Sequence, residues 1–308
     1  MKVSVQTPAT IANLGCGFDC FGLALPLYNV VTIEETIMPG SGVEINIMDM
    51  DSGLSSENIP RDKNNIVYKA IELLYNYIGQ TPTELKINIK TGIPVARGLG
   101  SSASVIVGGL MAANELLGHP ADKDVLLSIA TEIEGHPDNV APALFGGVVI
   151  SSLEETGSVT YKNLPWPKDW KITVGIPDFE LATDISRSVL PDMVSIKDAI
   201  FNLRRASEFV HAVHTKDEEL MKVAMTDKLH QPYRMKLVPG FSSIMHDLKH
   251  TEGVLGCVLA GAGPSIAVVS NNSNIDEVKN IIQTNWNNIN VNSKIQTYSV
   301  ENEGAKII

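Results

Sequence analysis

Pro94-Val95-Ala96-Arg97-Gly98-Leu99-Gly100-Ser101-Ser102-Ala103-Ser104 is the stretch that decides how this chain reads. Before it, Leu85, Ile87 and Ile89 alternate with Lys86, Asn88 and Lys90, the period-2 pattern of a half-buried strand. After it, residues 101–117 are apolar on nearly every side and stop at Gly118, which predicts a helix buried in the centre of its domain. Strand, glycine loop and helix together make a cradle for phosphate. Gly98 and Gly100 lack a Cβ, so backbone N–H groups can turn inward and approach an anion closely. The loop then hands that anion to a helix N-terminus, where unpaired N–H groups and the dipole favour negative charge. Ser101 and Ser102 are placed to cap the helix, donate to phosphate or reach a magnesium ion. A side chain at position 100 is expected to project where the phosphates approach. No Gly-Lys-[Ser/Thr] follows, which excludes the common P-loop, and Ala103 departs from strict G-x-G-x-x-G.

Outward from this loop, residues 29–37 and 43–48 read as strands, and residues 66–78 and 122–134 as helices. Residues 153–169 carry turn chemistry, including Pro165-Trp166-Pro167, and place a domain boundary that divides the chain into 1–155 and 156–308. Beyond it come a strand at 171–176 and helices at 195–214, 217–225 and 242–250. Strands at 256–260 and 265–269 are joined by Gly261-Ala262-Gly263-Pro264, and a helix at 275–286 and a strand at 294–300 follow. Both halves are α+β.

The 308 residues carry 24 Lys+Arg against 35 Asp+Glu, a net charge of −11, which argues against nucleic acid or an anionic membrane as partner. With 44% hydrophobic and 19% charged residues, the chain has the material for a sizeable core, which excludes general disorder. Three cysteines make no disulfide framework, no signal peptide or membrane span is visible, and the cytoplasm is the expected location. His246 and His250 echo a zinc-protease spacing, but the acid between them is Asp247 and no third ligand is evident. His211 and His214 are expected to face solvent.

The eleven-residue string resembles the ATP-binding signature of the GHMP kinases. Two further segments resemble that superfamily in the expected order: Pro8-Ala9-Thr10-Ile11-Ala12-Asn13-Leu14-Gly15 with Gly17-Phe18-Asp19, and Gly256-Cys257-Val258-Leu259-Ala260-Gly261-Ala262-Gly263-Pro264-Ser265. Glu134-Gly135-His136-Pro137-Asp138-Asn139 is similar to its homoserine-phosphorylating branch. The resemblance implies a two-domain GHMP kinase fold, like ribosomal protein S5 domain 2 in the first half and ferredoxin-like in the second. It implies ATP and Mg²⁺ as cofactors, a small-molecule substrate (L-homoserine), and phosphorylation of its hydroxyl on the route to threonine. A homodimer is left open. The loop, Pro94 to Ser104 with Asn65, would hold ATP, Asn65 being either an adenosine contact or a helix cap. Ser102 with Glu134, or Glu132 in reserve, would hold the metal. Asn13, Asp19, His136, Asp138, Thr183, Arg187, Arg234 and Gly261 would bind homoserine, with Asn139, His136 and Ser102 at the chemistry. Asp19 suits the ammonium, and Arg187 and Arg234 suit the carboxylate. Alternatives are a GHMP kinase for another alcohol such as mevalonate, or a kinase-like sensor without turnover.

Overall fold

The computed structural model describes residues 1–36, 42–50, 59–82 and 84–308. It opens with three strands, β1 (Lys2–Ala12), β2 (Phe21–Glu35) and β3 (Val43–Asp49), then α1 (Ile66–Tyr77) and β4 (Leu85–Thr91). The expected strand at 29–37 is the second half of β2, and its last residue lies outside the described residues. Asn65 caps α1, whose Val67, Ala70, Ile71 and Leu74 repeat at helical spacing and are all buried. Next come α2 (Ser101–Leu116), α3 (Lys123–Glu134), α4 (Pro137–Phe145), β5 (Val148–Leu153) and β6 (Val159–Leu164).

These strands, with β11 (Lys306–Ile307) from the chain end, form a seven-stranded sheet. Its path is β11-β1-β2-β4-β3, and β5 branches from β2 to carry β6. Strand β2 serves both branches: Phe21 to Leu23 pair with β5, and Val30 to Glu35 with β4. The β5–β6 hairpin crosses residue 155, the position at which the sequence reading divides the chain. Helix α2 packs against β1, β2, α1, α3 and α4, and buried residues occur on every face of it, as its composition predicts.

The second sheet contains β7 (Lys171–Pro177), β8 (Val254–Leu259), β9 (Ile266–Ser270) and β10 (Ser293–Tyr298) in the order β10-β7-β9-β8, all neighbours antiparallel. That is strand order 4-1-3-2, the ferredoxin-like arrangement. Between β7 and β8 run α5 (Thr183–Ser188), α6 (Ile196–Thr215), α7 (Glu218–Ala224), α8 (Gln231–Arg234), a 3₁₀ turn and α9 (Phe241–Leu248); α10 (Ile275–Asn287) joins β9 to β10. One core binds the two halves together. Ile11, Leu23 and Leu99 from the first half share it with Ile172, Val174, Phe209 and Val258 from the second. Ile266, Val268, Val278 and Trp286 build a separate core on the second sheet. His211 and His214 are exposed, as expected, and so are His246 and His250.

Candidate active site

The glycine loop and the N-terminus of α2 meet the second half of the chain in a cleft. It is lined by Asn13, Asp19, residues 94–102, Glu134, His136, Asp138, Asn139, Thr183, Arg187, Arg234 and Gly261. Most of the expected site therefore converges. The loop is tied on three sides. Thr10 N donates to Leu99 O at 3.1 Å, Leu181 N to Ala96 O at 3.1 Å, and Ser265 N to Arg97 O at 3.3 Å. The Arg97 guanidinium donates to the carbonyls of Val95, Pro177 and Asp178 and meets Glu180, so it straps the loop to the end of β7.

Gly98 and Gly100 take φ of +74° and +65°, the left-handed region that a β-carbon disfavours. Gly98 also sits where a Cβ would stand 2.1 Å from the carbonyl oxygen of Ala260, so the loop lies directly on the C-terminal glycine turn. Neither expected serine cap forms. Gly100 is the N-cap, with no side-chain bond to the first turn of α2. Ser101 Oγ donates to Ile93 O at 3.4 Å and accepts from Asn29, while Ser102 Oγ donates to Glu134 Oε2 at 3.1 Å. The α2 N-terminus is thus left without a side-chain acceptor, as an anion site requires.

A second correction concerns position 100. Its Cβ would not enter the cleft freely but would stand 1.8 Å from Thr10 Oγ1 and 3.1 Å from Asn139 Oδ1. Thr10 Oγ1 donates to Asn139 Oδ1 at 2.7 Å, which leaves the Asn139 amide donors for the cleft. Thr10 lies inside the N-terminal motif but had no role in the sequence reading.

The other expected residues divide clearly. Glu134 lines the cleft, whereas Glu132 is exposed and does not. Ala103 and Ser104 are fully buried, and Ser104 donates to Thr7 O inside the domain, so neither faces the cleft. Asn65 is also outside it: Oδ1 accepts from Val67 N at 2.9 Å and Nδ2 donates to Pro60 O at 2.7 Å. Asn65 thus forms the helix cap, one of its two readings.

Asn13 and Asp19 hold φ of +73° and +57°, conformations that Asn and Asp tolerate better than most residues. Asn13 Nδ2 donates to Gly261 O at 3.1 Å, and its Oδ1 accepts from Asp19 N at 3.0 Å. One bracket therefore joins the N-terminal motif to the C-terminal glycine turn. Arg187, on the same short helix as Thr183, donates from both terminal nitrogens to the two Asp19 oxygens, at 2.9 and 3.2 Å. Arg234 differs. It is 2% exposed and donates only to neutral acceptors, Ser186 O at 3.2 Å, Gly261 O at 3.3 Å and His230 Nδ1 at 3.4 Å. Among the described residues no carboxylate contacts it directly, and Asp19, Asp138 and Asp227 act on this buried cation only from longer range.

His136 is the N-cap residue of α4, and its Nδ1 bonds Asp138 Oδ1. Burial alone would lower its pKa, but the hydrogen bond and charge of Asp138, with Asp19 behind, raise it above the ordinary histidine value. Burial pushes Glu134 up, against the opposing effects of His136 and the Ser102 hydroxyl. Among the described residues no helix is long and apolar enough to cross a membrane.

Comparison with known proteins agrees with this geometry. Residues 65–147 match the family model for the GHMP kinases N terminal domain. Over 303 residues the chain is 43% identical to a homoserine kinase of Carboxydothermus hydrogenoformans, covering 98% of this chain and 96% of that one. It is 38% identical over 305 residues to a homoserine kinase of Crocosphaera subtropica, covering 99% and 97%. The crystal structure of homoserine kinase from Cytophaga hutchinsonii superposes with a TM-score of 0.87 at 29% identity, covering 100% of this chain and 97% of that one.

Proposed function

We propose, from the premise that this chain belongs to the homoserine kinase family of the GHMP kinases, that its cleft holds ATP along the glycine loop and L-homoserine against Asp19, Arg187 and Arg234. The chain is an ATP-dependent kinase acting on a hydroxyl group. It transfers the γ-phosphoryl group of ATP to L-homoserine, giving O-phospho-L-homoserine for threonine biosynthesis. The observation that carries the substrate assignment is the pairing, in one cleft, of an anion-binding helix N-terminus with a carboxylate and two guanidiniums. An α-amino acid presents the complementary charges. Magnesium-dependent ADP release across homoserine, mevalonate, galactose and serine tests it. Homoserine is expected to be strongly preferred, and equal turnover of mevalonate would overturn the assignment.

Ser102 and Glu134 offer two oxygen donors 3.1 Å apart beside the loop, the donor type a hard divalent cation takes. They fit Mg²⁺, which supplies charge neutralisation of the phosphates when bound. Their present hydrogen bond would give way to shared ligation. Replacing Glu134 by Gln should raise the Mg²⁺ concentration for half-maximal rate by about tenfold or more, with homoserine KM little changed. An unchanged Mg²⁺ dependence would remove Glu134 from the metal site.

No residue is proposed as a strong general base. Asn139 presents amide donors, which orient a hydroxyl or a phosphate oxygen but accept no proton. Asp138 bonds His136 Nδ1 and raises its pKa above the ordinary histidine value, a direction that favours the charged ring over the free base. A loose transition state needs little early deprotonation, so the proton passes late to the transferred phosphoryl oxygen. His136→Gln should therefore lower kcat by less than about 10²-fold, the minimum loss expected on removing a general base. The raised pKa fixes the sign of any pH effect: as pH falls through it, His136 gains charge without losing a catalytic function. A larger kcat loss, with homoserine binding intact and the acid limb of the profile removed, would make His136 the base.

Two domains are proposed, with the strand pairing favouring a division after β6. The cytoplasm is the proposed location. Cys16, Cys20 and Cys257 are all free, and burial pushes the Cys16 and Cys257 thiols up to about 12, which makes them poor nucleophiles.

A further inference from the structure

Behind the cleft lies a histidine that no motif announces. His230 is fully buried at the N-terminus of α8, one turn before Arg234. Its Nε2 lies 2.8 Å from Gly15 O, and a carbonyl only accepts, so the proton sits on Nε2. Nδ1 therefore keeps its lone pair, and that lone pair faces Arg234 Nη1 at 3.4 Å. A second proton on the ring would set N–H against N–H. The charged groups around the ring are Asp227, 3.7 Å from Nε2, Arg234 and, farther off, Asp19. Burial and Arg234 outweigh the two carboxylates and the Gly15 carbonyl, keeping the pKa below the ordinary histidine value. One face of the imidazole stacks on Phe18, with centroids 5.1 Å apart and planes at 19°. The same Phe18 ring carries the Arg234 guanidinium 5.2 Å from its centroid and that of Arg187 at 5.8 Å.

We propose that His230, with Phe18 as its platform, is a positioning residue that sets the plane of the Arg234 guanidinium for the substrate carboxylate. Arg234 needs such a device. Its other partners are carbonyl oxygens, and a planar fork offered to a carboxylate recognises it only in the right plane. The neutral imidazole supplies an acceptor without supplying a counter-ion. An Asp or Glu at position 230 would neutralise Arg234 and compete with the substrate. The Gly15 bond fixes the tautomer, so the N-terminal motif selects the face of His230 that Arg234 meets. This inference rests on the reading of Arg234 as the carboxylate-binding residue.

Three substitutions separate positioning from packing. In His230→Asn the side-chain oxygen stands near the Nδ1 position and keeps the acceptor for Arg234. In His230→Gln the amide reaches the Nε2 position and keeps the donor to Gly15. His230→Phe keeps the ring and loses both. The expected result is a homoserine KM raised about tenfold in the Phe and Gln variants and substantially restored in the Asn variant, with ATP KM and kcat near wild type. The comparison of Asn with Gln decides the matter even where the Phe variant fails to fold. Rescue by Gln as good as by Asn, an equal rise in ATP KM, or no change in homoserine KM overturns the proposal. Arg234→Ala is measured alongside. If it leaves homoserine KM unchanged, the carboxylate reading itself fails; if it raises KM while the His230 variants do not, only the positioning role falls.

Discussion

Gly100→Val is expected to lower kcat/KM by about 10³-fold or more in a chain that still folds. Two effects combine at this residue. Its φ of +65° is costly for any residue with a β-carbon, by about 1–2 kcal/mol, and more for a β-branched one. The added Cβ would also stand 1.8 Å from Thr10 Oγ1, so it must displace the hydroxyl that fixes the Asn139 amide. The loop proposed to cradle phosphate and the amide proposed to orient the acceptor are thus disturbed by one atom. A displacement of about 1 Å in a reacting group costs on the order of 10²-fold, which makes the combined figure plausible for valine and smaller for alanine. Thr10 gives a direct check. Thr10→Ala alone also frees the Asn139 amide, so adding it to Gly100→Ala should cost less than the sum of the two single losses, because both act on the same Thr10–Asn139 contact. The explanation fails if Gly100→Ala retains nearly full turnover, or if the losses of Gly100→Ala and Thr10→Ala simply add.

Most of the elements were legible because their periodicities were strong. The alternation at Leu85, Ile87 and Ile89 is β4, and the all-round apolar run after Ser101 is the central helix. In the second half every expected helix and strand forms within a few residues of its predicted ends. What escaped had weaker local signals. Strand β1 is buried on both faces for much of its length, so it shows no clean alternation, and α4 begins with Pro137 and contains Pro142, which reads as a loop. Strand β6 is mostly exposed and sits in turn-rich sequence, so its residues read as boundary rather than strand. The site was legible as motifs but not as contacts. The family resemblance implies that Asp19 and Arg187 serve opposite ends of a substrate, but not that they pair with each other across 168 positions. His230 carried no signal, since a histidine before Gln231-Pro232 looks the same whether it faces solvent or an arginine.

The Asp19–Arg187 pair changes what is expected of the substrate clamp. An exposed bidentate pair contributes little stability, and both side chains here are about one-third exposed, so the pair can open cheaply. On the proposed reading a zwitterion would replace it without loss: the ammonium would take Asp19, the carboxylate would take Arg187, and Arg234 would gain a direct ion pair. A ligand with only one of these charges opens the pair and leaves a partner unsatisfied, which is a physical basis for selecting amino acids over neutral alcohols. Arg234→Ala should therefore lower kcat/KM for homoserine by about 10²- to 10³-fold, the equivalent of about 3–4 kcal/mol for a buried charge-assisted contact. ATP KM should stay within about twofold. Arg187→Lys keeps the charge but loses the planar fork, so it should fall between wild type and Arg187→Ala. The carboxyl-amidated analogue of homoserine makes the test specific. It has already lost the charge that Arg234 serves, so Arg234→Ala should change its kcat/KM far less than that of homoserine. The net charge of −11 offers a substrate carboxylate no long-range attraction, so these two guanidiniums must supply the grip at contact. If Arg234→Ala weakens homoserine and its amide equally, or raises the KM for ATP instead, the arginine belongs to the nucleotide and the clamp must be reassigned.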